Sequence, residues 1–269
     1  MSKLFIKNRD NLRILVNIDL PVELHVDLNP HPAKAKGLAF IMPSLGSRHG
    51  RQEFVAMSDV LTHYGYIAIS FDPTHSFGKS DGDYADATFT TYASDLEDVI
   101  EWASKNLPQY TEPFILVGHS LGAMSTVYYA ERFPEKVKAL APLATVISGK
   151  LSLDARGPEE VEKWKALGYQ EQKRSNGDIK ILKWSHMEDR LKYDMLMNAS
   201  KINMPLLMLA GEFDKSTPPN HEQLLFDAVA TPVGDKEFHI IKNADHDIGR
   251  VDILPVVKEI FEKWLSKLN

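Results

Sequence analysis

The pentapeptide Gly-His-Ser-Leu-Gly at residues 118–122 is the feature that most restricts how this chain can fold. The apolar run 113–117 precedes it and predicts a buried strand, and residues 123–132 have the character of a helix. This context predicts a sharp turn from strand to helix with the hydroxyl of Ser120 exposed. Glycines on both sides are needed where strand and helix pack too closely for side chains. The helix N-terminus that follows offers N–H groups to a developing oxyanion.

Composition limits the class of protein. Of the 269 residues 43% are hydrophobic and 25% are charged, which permits a large buried core. The net charge of −6 is not gathered into long runs, so we expect neither a nucleic-acid partner nor attraction to an anionic membrane surface. We also expect no membrane span and no signal peptide. The absence of cysteine excludes disulfides and a thiolate nucleophile and fits a cytoplasmic protein, the location we predict.

Short apolar runs alternate with helical stretches along the chain. This order predicts an α/β fold with a mostly parallel, doubly wound sheet, covered by helices on both faces. An N-terminal hairpin pairs residues 4–7 with 13–18. Further strands are predicted at 38–42, 66–71, 113–117, 137–141, 205–210 and 236–241, and helices at 52–63, 90–105, 123–132, 221–229 and 251–268.

One segment interrupts this alternation. About sixty residues separate the strand that ends near Ala141 from the strand that begins at Pro205, far more than a crossover needs. We predict that residues 148–200 form a small α/β cap above the carboxyl ends of the strands, and that residues 1–147 and 201–269 form the core domain. A surface excursion without a role is the alternative. The cap is predicted to contain a helix, an Asn-Gly hairpin and a second helix, at 157–167, 169–182 and 187–198.

Two loops supply partners for the serine. A serine hydroxyl needs a base to act as a nucleophile, and the base needs a carboxylate that orients it. Asp214 follows the strand at 205–210, and His246 follows the strand at 236–241. Because the carboxyl ends of parallel strands meet at one edge, we predict Ser120 as nucleophile, His246 as base and Asp214 as orienting acid. A turn aspartate and a solvated loop histidine are the alternatives.

An oxyanion needs two N–H donors. We expect the first from Leu121, directly after the serine, and the second from the loop at 43–47. In that loop Leu45 is the first choice and Ser44 the alternative, although the whole arrangement could instead be a simple strand-to-helix turn. No group of His, Asp and Glu has the spacing of a metal site, so we predict neither a metal nor another cofactor.

Together these motifs resemble the α/β-hydrolase superfamily from about residue 36 to the C-terminus. The serine pentapeptide and the later loops with Asp214 and His246 follow the order Ser, Asp, His that is typical of this superfamily. Residues 71–82 are similar to its Asp-x-x-Gly-x-Gly-x-Ser loop but depart in the first half, and residues 43–47 replace the usual His-Gly-x-x-Gly-Ser. The hairpin and cap size are most similar to small bacterial carboxylesterases of the cinnamoyl/feruloyl esterase type.

The resemblance implies a serine carboxylesterase that hydrolyses esters of short-chain or aromatic acyl groups through an acyl-enzyme on Ser120. A monoacylglycerol lipase, a thioesterase, another acyl hydrolase or acyltransferase, and a non-catalytic ligand receptor are the alternatives. A small-molecule ester is the expected partner, and the oligomeric state is left open. Cap side chains could contact the acyl group or instead form the core of the cap. These side chains are Trp164, Tyr169, Trp184 and Met187.

Overall fold

The computed structural model describes residues 2–21, 35–173 and 178–268. Within these residues eight strands form one sheet and two strands form a separate hairpin. The strands are β1 Ser2–Lys7, β2 Arg13–Asp19, β3 Gly37–Met42, β4 Tyr66–Asp72, β5 Phe114–His119, β6 Val137–Leu143, β7 Tyr169–Lys173, β8 Ile179–Lys183, β9 Leu206–Gly211 and β10 Lys236–Ile241.

The large sheet has the order β1-β2-β4-β3-β5-β6-β9-β10. β1 pairs with β2 and β2 with β4 in antiparallel fashion, and every later pairing is parallel. The N-terminal hairpin and the mostly parallel sheet predicted from the sequence are therefore confirmed. Because the six strands in the part of this sheet from β4 through β3 to β10 run the same way, their carboxyl ends meet at one edge. The loops after β3, β5, β9 and β10 come together there.

Helices cover both faces of this sheet. Successive side chains of a strand point to opposite faces, so Phe40 of β3 shares a core with Met124 while Ile41 shares the other with Phe261. This arrangement confirms the doubly wound sheet. The helices are α1 Gln52–His63, α2 Phe89–Asn106, α3 Leu121–Arg132, α4 Gly149–Arg156, α5 Pro158–Leu167, α6 Ser185–Arg190, α7 Pro219–Ala228 and α8 Leu254–Ser266.

The elements from α4 to α6 lie between β6 and β9, within the segment predicted as the cap. β7 and β8 pair antiparallel, with Tyr169 opposite Lys183, as the predicted hairpin requires. The Asn-Gly turn itself, at residues 175–177, lies outside the described residues.

The prediction of a second helix in the cap was wrong in the length of that helix. The predicted helix runs over residues 187–198, but α6 ends at Arg190. The chain beyond it pairs instead with residues 147–149, where α4 begins. The Gly149 N–H donates to the Tyr193 carbonyl at 3.1 Å, and the Met195 N–H donates to the Ile147 carbonyl at 2.9 Å. These tertiary hydrogen bonds replace those that a longer helix would form.

Candidate active site

Ser120 occupies the sharp turn between β5 and α3. Its φ of 57° and ψ of −115° lie in a region that residues with a side chain rarely adopt. Its N–H donates to the Leu143 carbonyl of the neighbouring strand at 2.9 Å, which holds this conformation in place. A Cβ on Gly122 would lie 2.3 Å from the Pro43 carbonyl oxygen, and one on Gly118 would lie 2.6 Å from the Gly122 carbonyl oxygen. Both glycines are therefore required by close packing.

A chain of hydrogen bonds begins at the hydroxyl of Ser120. His246 Nε2 lies 2.8 Å from Ser120 Oγ, and His246 Nδ1 lies 2.7 Å from Asp214 Oδ2. The three side chains come from the loops after β5, β9 and β10, which share one edge of the sheet. A carboxylate at Nδ1 holds the imidazole proton on that nitrogen, so Nε2 is free to accept the serine proton.

Asp214 is fixed by its own turn as well as by the histidine. Its Oδ1 accepts the N–H groups of Ser216 at 2.8 Å and Thr217 at 2.9 Å, and its Oδ2 accepts the Thr217 hydroxyl at 2.8 Å. Burial alone would raise the pKa of Asp214, but the hydrogen bonds from His246 and Thr217 outweigh burial and hold the pKa below its usual value. The carboxylate is thus ionised at neutral pH. The role of Thr217 was not predicted from the sequence, because the usual aspartate turn, in which the carboxylate accepts an N–H two residues on, points to Ser216.

His119 lies behind the site rather than in it. Its Nε2 is 3.1 Å from the main-chain carbonyl of His246, and the two imidazole rings are 5.2 Å apart. Burial, reinforced by the nearby His246, lowers the pKa of His119 to about 3. The ring is therefore neutral and donates a hydrogen bond that supports the His246 loop.

The loop after β3 narrows the choice of a second oxyanion donor. Pro43 has no N–H, the Gly46 N–H donates to the Tyr92 hydroxyl at 2.8 Å, and the Ser47 N–H donates to the Ser44 carbonyl at 2.9 Å. Ser44 and Leu45 are left, the same two residues that the sequence proposed. Across from this loop, Leu121 is the first residue of α3 and its N–H precedes the first helical hydrogen bond.

A cavity of about 470 Å³ opens above Ser120. Ser44, Leu45, Leu121 and His246 border it on the side of the sheet, so the structure brings these predicted residues together around the serine. Residues from the segment predicted as the cap form much of the opposite wall. They were not predicted from the sequence as site residues. They include Ser152, Ala155, Arg156, Glu160, Gln172 and Arg190.

The four cap side chains proposed as substrate contacts lie elsewhere. Trp164 is buried and donates its Nε1–H to the Leu182 carbonyl at 3.1 Å, and the Trp184 ring lies 5.4 Å from the Trp164 ring. Met187 is fully buried in the same core, whereas Tyr169 is 36% exposed. None of the four is among the described residues that border the cavity. Trp164 and Met187 belong to the core on the face of the sheet that α3 covers, so the structure favours a packing role for them over contact with substrate.

The described residues contain neither a candidate metal site nor a candidate membrane span. Over 2–21, 35–173 and 178–268, no group of three or more His, Asp and Glu side chains is placed to hold a metal ion. No helix in these ranges is both long and apolar enough to cross a membrane.

Comparison with known sequences gives matches over most of the chain. The profile of the family described as serine aminopeptidase, S33, matches residues 33–192, more than half of the chain. The human palmitoyl-protein thioesterase ABHD10, named as mitochondrial, is 25% identical over 266 residues, which cover 98% of this chain and 83% of that protein. An uncharacterised 31.7 kDa protein of Escherichia coli is 27% identical over 244 residues, which cover 78% of this chain and 84% of that protein.

Solved structures give the same fold. Est1E from Butyrivibrio proteoclasticus with bound ferulic acid matches with a TM-score of 0.77 and 20% identity over 98% of both chains. Alpha/beta hydrolase domain-containing protein 10 from mouse matches with a TM-score of 0.78 and 21% identity over the whole of both chains. The chain therefore has the α/β-hydrolase fold, as the sequence analysis predicted.

Proposed function

We propose that this chain, which belongs to the hydrolase family described as serine aminopeptidase, S33, within the α/β-hydrolase superfamily, is a serine carboxylesterase. Its substrates are esters of short-chain or aromatic acyl groups. The observation that carries the proposal is the chain of hydrogen bonds from Ser120 through His246 to Asp214, at the floor of a cavity.

The proposed reaction begins with acylation of the serine. His246 Nε2 accepts the hydroxyl proton as Ser120 Oγ attacks the ester carbonyl, and Asp214 stabilises the imidazolium that forms. The N–H groups of Leu121 and of Leu45, or alternatively Ser44, receive the negative charge on the former carbonyl oxygen. Collapse of this intermediate breaks the bond to the alcohol oxygen, which takes its proton from His246.

Deacylation repeats these steps with water. His246 accepts a proton from a water molecule, whose oxygen attacks the acyl-enzyme carbonyl, and the same N–H groups again receive the negative charge. The bond to Ser120 Oγ then breaks, the proton returns to Ser120, and the carboxylic acid leaves. The proposal needs no cofactor or metal ion.

The polarity of the cavity supports a small acyl group. Charged and amide side chains line the wall opposite Ser120. A long alkyl chain would leave such groups desolvated without partners. We therefore propose that residues 148–200 form a cap that selects the substrate, above a core domain of residues 1–147 and 201–269.

The cytoplasmic location of the protein stays a prediction from the sequence.

A thioesterase is the second candidate. The mammalian relatives that cover most of this chain are named palmitoyl-protein thioesterases, and thioesters react through the same steps. Peptide hydrolysis from an amino terminus is less well supported. A free α-amino group is cationic and needs a carboxylate, whereas Glu160 at the cavity is already paired with Arg156.

The test combines a substrate series with a serine variant. We expect hydrolysis of p-nitrophenyl esters that is fastest for short acyl chains, together with hydrolysis of methyl ferulate, and slower cleavage of palmitoyl thioesters and aminoacyl anilides. Ser120→Ala should lower kcat/KM for the best ester by several powers of ten, about 10³-fold or more. Its circular dichroism should match that of the wild type. Unchanged turnover in a folded Ser120→Ala protein would exclude the mechanism, and a preference for long chains would favour the thioesterase.

A further inference from the structure

Arg190, at the end of α6, is a buried cation that borders the cavity above Ser120. The residue is only 6% exposed. Its Nη2 donates to His186, while its Nε has no hydrogen-bond partner among the described residues. Burying a guanidinium without an ion pair costs folding free energy, and an anion bound in the cavity would offset part of that cost. Arg190 therefore places a buried positive charge in the lining of the cavity that Ser120 also borders.

The groups around Arg190 orient it without neutralising its charge. His186 Nδ1 lies 2.8 Å from the Ala87 carbonyl, so it carries the proton and Nε2 accepts from Arg190. Burial lowers the pKa of His186 well below its usual value, so the imidazole stays neutral. Asp189 is adjacent in sequence and its charge favours that of Arg190, but its carboxylate forms no ion pair with Arg190; it accepts from Thr90 at 2.8 and 2.7 Å and pairs with Lys192 at 3.1 Å.

Other cations border the same cavity. Arg156 and Lys215 line it together with Arg190, and Glu160 is the one carboxylate among the described residues of this lining. Glu160 forms an ion pair with Arg156, and the Arg156 guanidinium lies 5.1 Å from the centre of the Trp164 ring. Burial, reinforced by Arg156, lowers the pKa of Arg190 to about 9, so this arginine still carries its charge at neutral pH. The charge of the lining is thus positive overall.

From this arrangement we propose that the ester carries a carboxylate, which Arg190 binds inside the cavity with Arg156 nearby. The inference rests on the proposed esterase function and specifies its substrate class. A guanidinium presents its donors in a planar fork that matches a carboxylate, so Arg190 selects anionic esters over neutral ones. The carboxylate belongs either to the acyl group, as in a hemiester of a dicarboxylic acid, or to the alcohol.

Matched ester pairs test the proposal and distinguish the two positions of the charge. The first pair is p-nitrophenyl hemiglutarate and p-nitrophenyl valerate, with the charge on the acyl side. The second is 4-carboxyphenyl butyrate and 4-carbamoylphenyl butyrate, with the charge on the alcohol. In one of these pairs, Arg190→Gln should lower kcat/KM about ten- to a hundredfold more for the anionic ester than for its neutral partner. Arg190→Lys should restore part of this difference.

A matched control is available two residues away. The Lys192 side chain is 67% exposed and pairs with Asp189 rather than bordering the cavity. Lys192→Gln removes the same charge from the same segment, and kcat/KM for all four esters should stay within about twofold of wild type. Equal losses for both members of each pair in Arg190→Gln would overturn the proposal and assign Arg190 a purely structural role.

A binding measurement keeps this inference separate from the proposed function. Calorimetric titration of the Ser120→Ala protein with glutarate and with 4-hydroxybenzoate needs no turnover. We expect one of these anions to bind at least tenfold more weakly when Arg190→Gln is added. Equal binding by both proteins would reject the anion site even if esters are hydrolysed. If no ester is hydrolysed but the binding difference is found, the esterase proposal fails and the anion site stands.

Discussion

Gly122 shows how one residue controls the geometry of the candidate site. A Cβ at this position would lie 2.3 Å from the Pro43 carbonyl oxygen and 2.4 Å from that of Met42. Both atoms belong to the backbone, so Gly122→Ala must push α3 away from the loop after β3. We expect the free energy of unfolding to fall by about 1–3 kcal/mol in urea titrations, because overpacking is relieved only by backbone shifts. The same shift would separate Leu121 from Leu45, so kcat should fall as well.

Gly234 provides the control for this substitution. A Cβ there would meet no heavy atom of the described residues within 4 Å. Gly234→Ala should therefore change stability by less than about 1 kcal/mol, with kcat at the wild-type value. If Gly122→Ala behaved like Gly234→Ala, the close approach of α3 to the loop after β3 would not be required for the site.

The sequence could predict the meeting of Ser120, Asp214 and His246 because each residue follows a strand of one parallel sheet. The alternation of strands and helices predicts that these strands are parallel, and the carboxyl ends of parallel strands meet at one edge of the sheet. Arg190 and Arg156 could not be found this way. They lie on different short helices, and no spacing rule connects them. Only the tertiary packing of these helices brings both residues to the cavity.

At the scale of elements, α5 and the β7–β8 hairpin depend on Trp164. Its indole is buried, donates to the Leu182 carbonyl at 3.1 Å and packs edge-on against Trp184. Trp164→Ala should lower the free energy of unfolding by about 3–5 kcal/mol, since it leaves a large cavity in a buried core. Hydrogen exchange should show the loss first in residues 158–183, with β5 and β6 still protected.

Leu167 lies on the same helix and provides a matched comparison. It is 52% exposed, so Leu167→Ala should shift stability by about 0.5 kcal/mol or less. If Trp164→Ala lost exchange protection uniformly through the whole sheet, the prediction that the elements around Trp164 open separately from the sheet would be wrong. The same experiment addresses the domain division, since a separate cap should open while the sheet stays closed.

The limits of prediction for whole elements are visible in α6. Helical character continues through residues 187–198, but the chain after Arg190 forms hydrogen bonds with residues 147 and 149. Those partners lie more than forty positions earlier, so a local pattern cannot reveal them. The central strands β3, β4, β5 and β9 were predictable for the opposite reason, because burial on both faces makes each of them a mostly apolar run.

For the molecule as a whole, stability should depend on pH through Glu131 in α3. This residue is 2% exposed, and its Oε1 has no hydrogen-bond partner among the described residues. Burial raises the pKa of Glu131 to about 8, and the charge of Lys201 only partly opposes this effect. The folded protein therefore holds a proton on Glu131 at a pH where the unfolded chain has released it.

The sign of this effect follows from proton linkage. The stabilising protonation is fully present below the unfolded pKa of about 4.5 and is lost as the pH rises towards 8, at up to about 1.4 kcal/mol per pH unit. Glu131→Gln cannot ionise, so its free energy of unfolding should increasingly exceed that of the wild type between pH 5 and pH 8, measured by urea titration at each pH. Glu135→Gln, at an exposed position nearby, should follow the wild-type curve. A gap between Glu131→Gln and wild type that is constant with pH would show that Glu131 is ionised in the folded protein, with a partner for its charge.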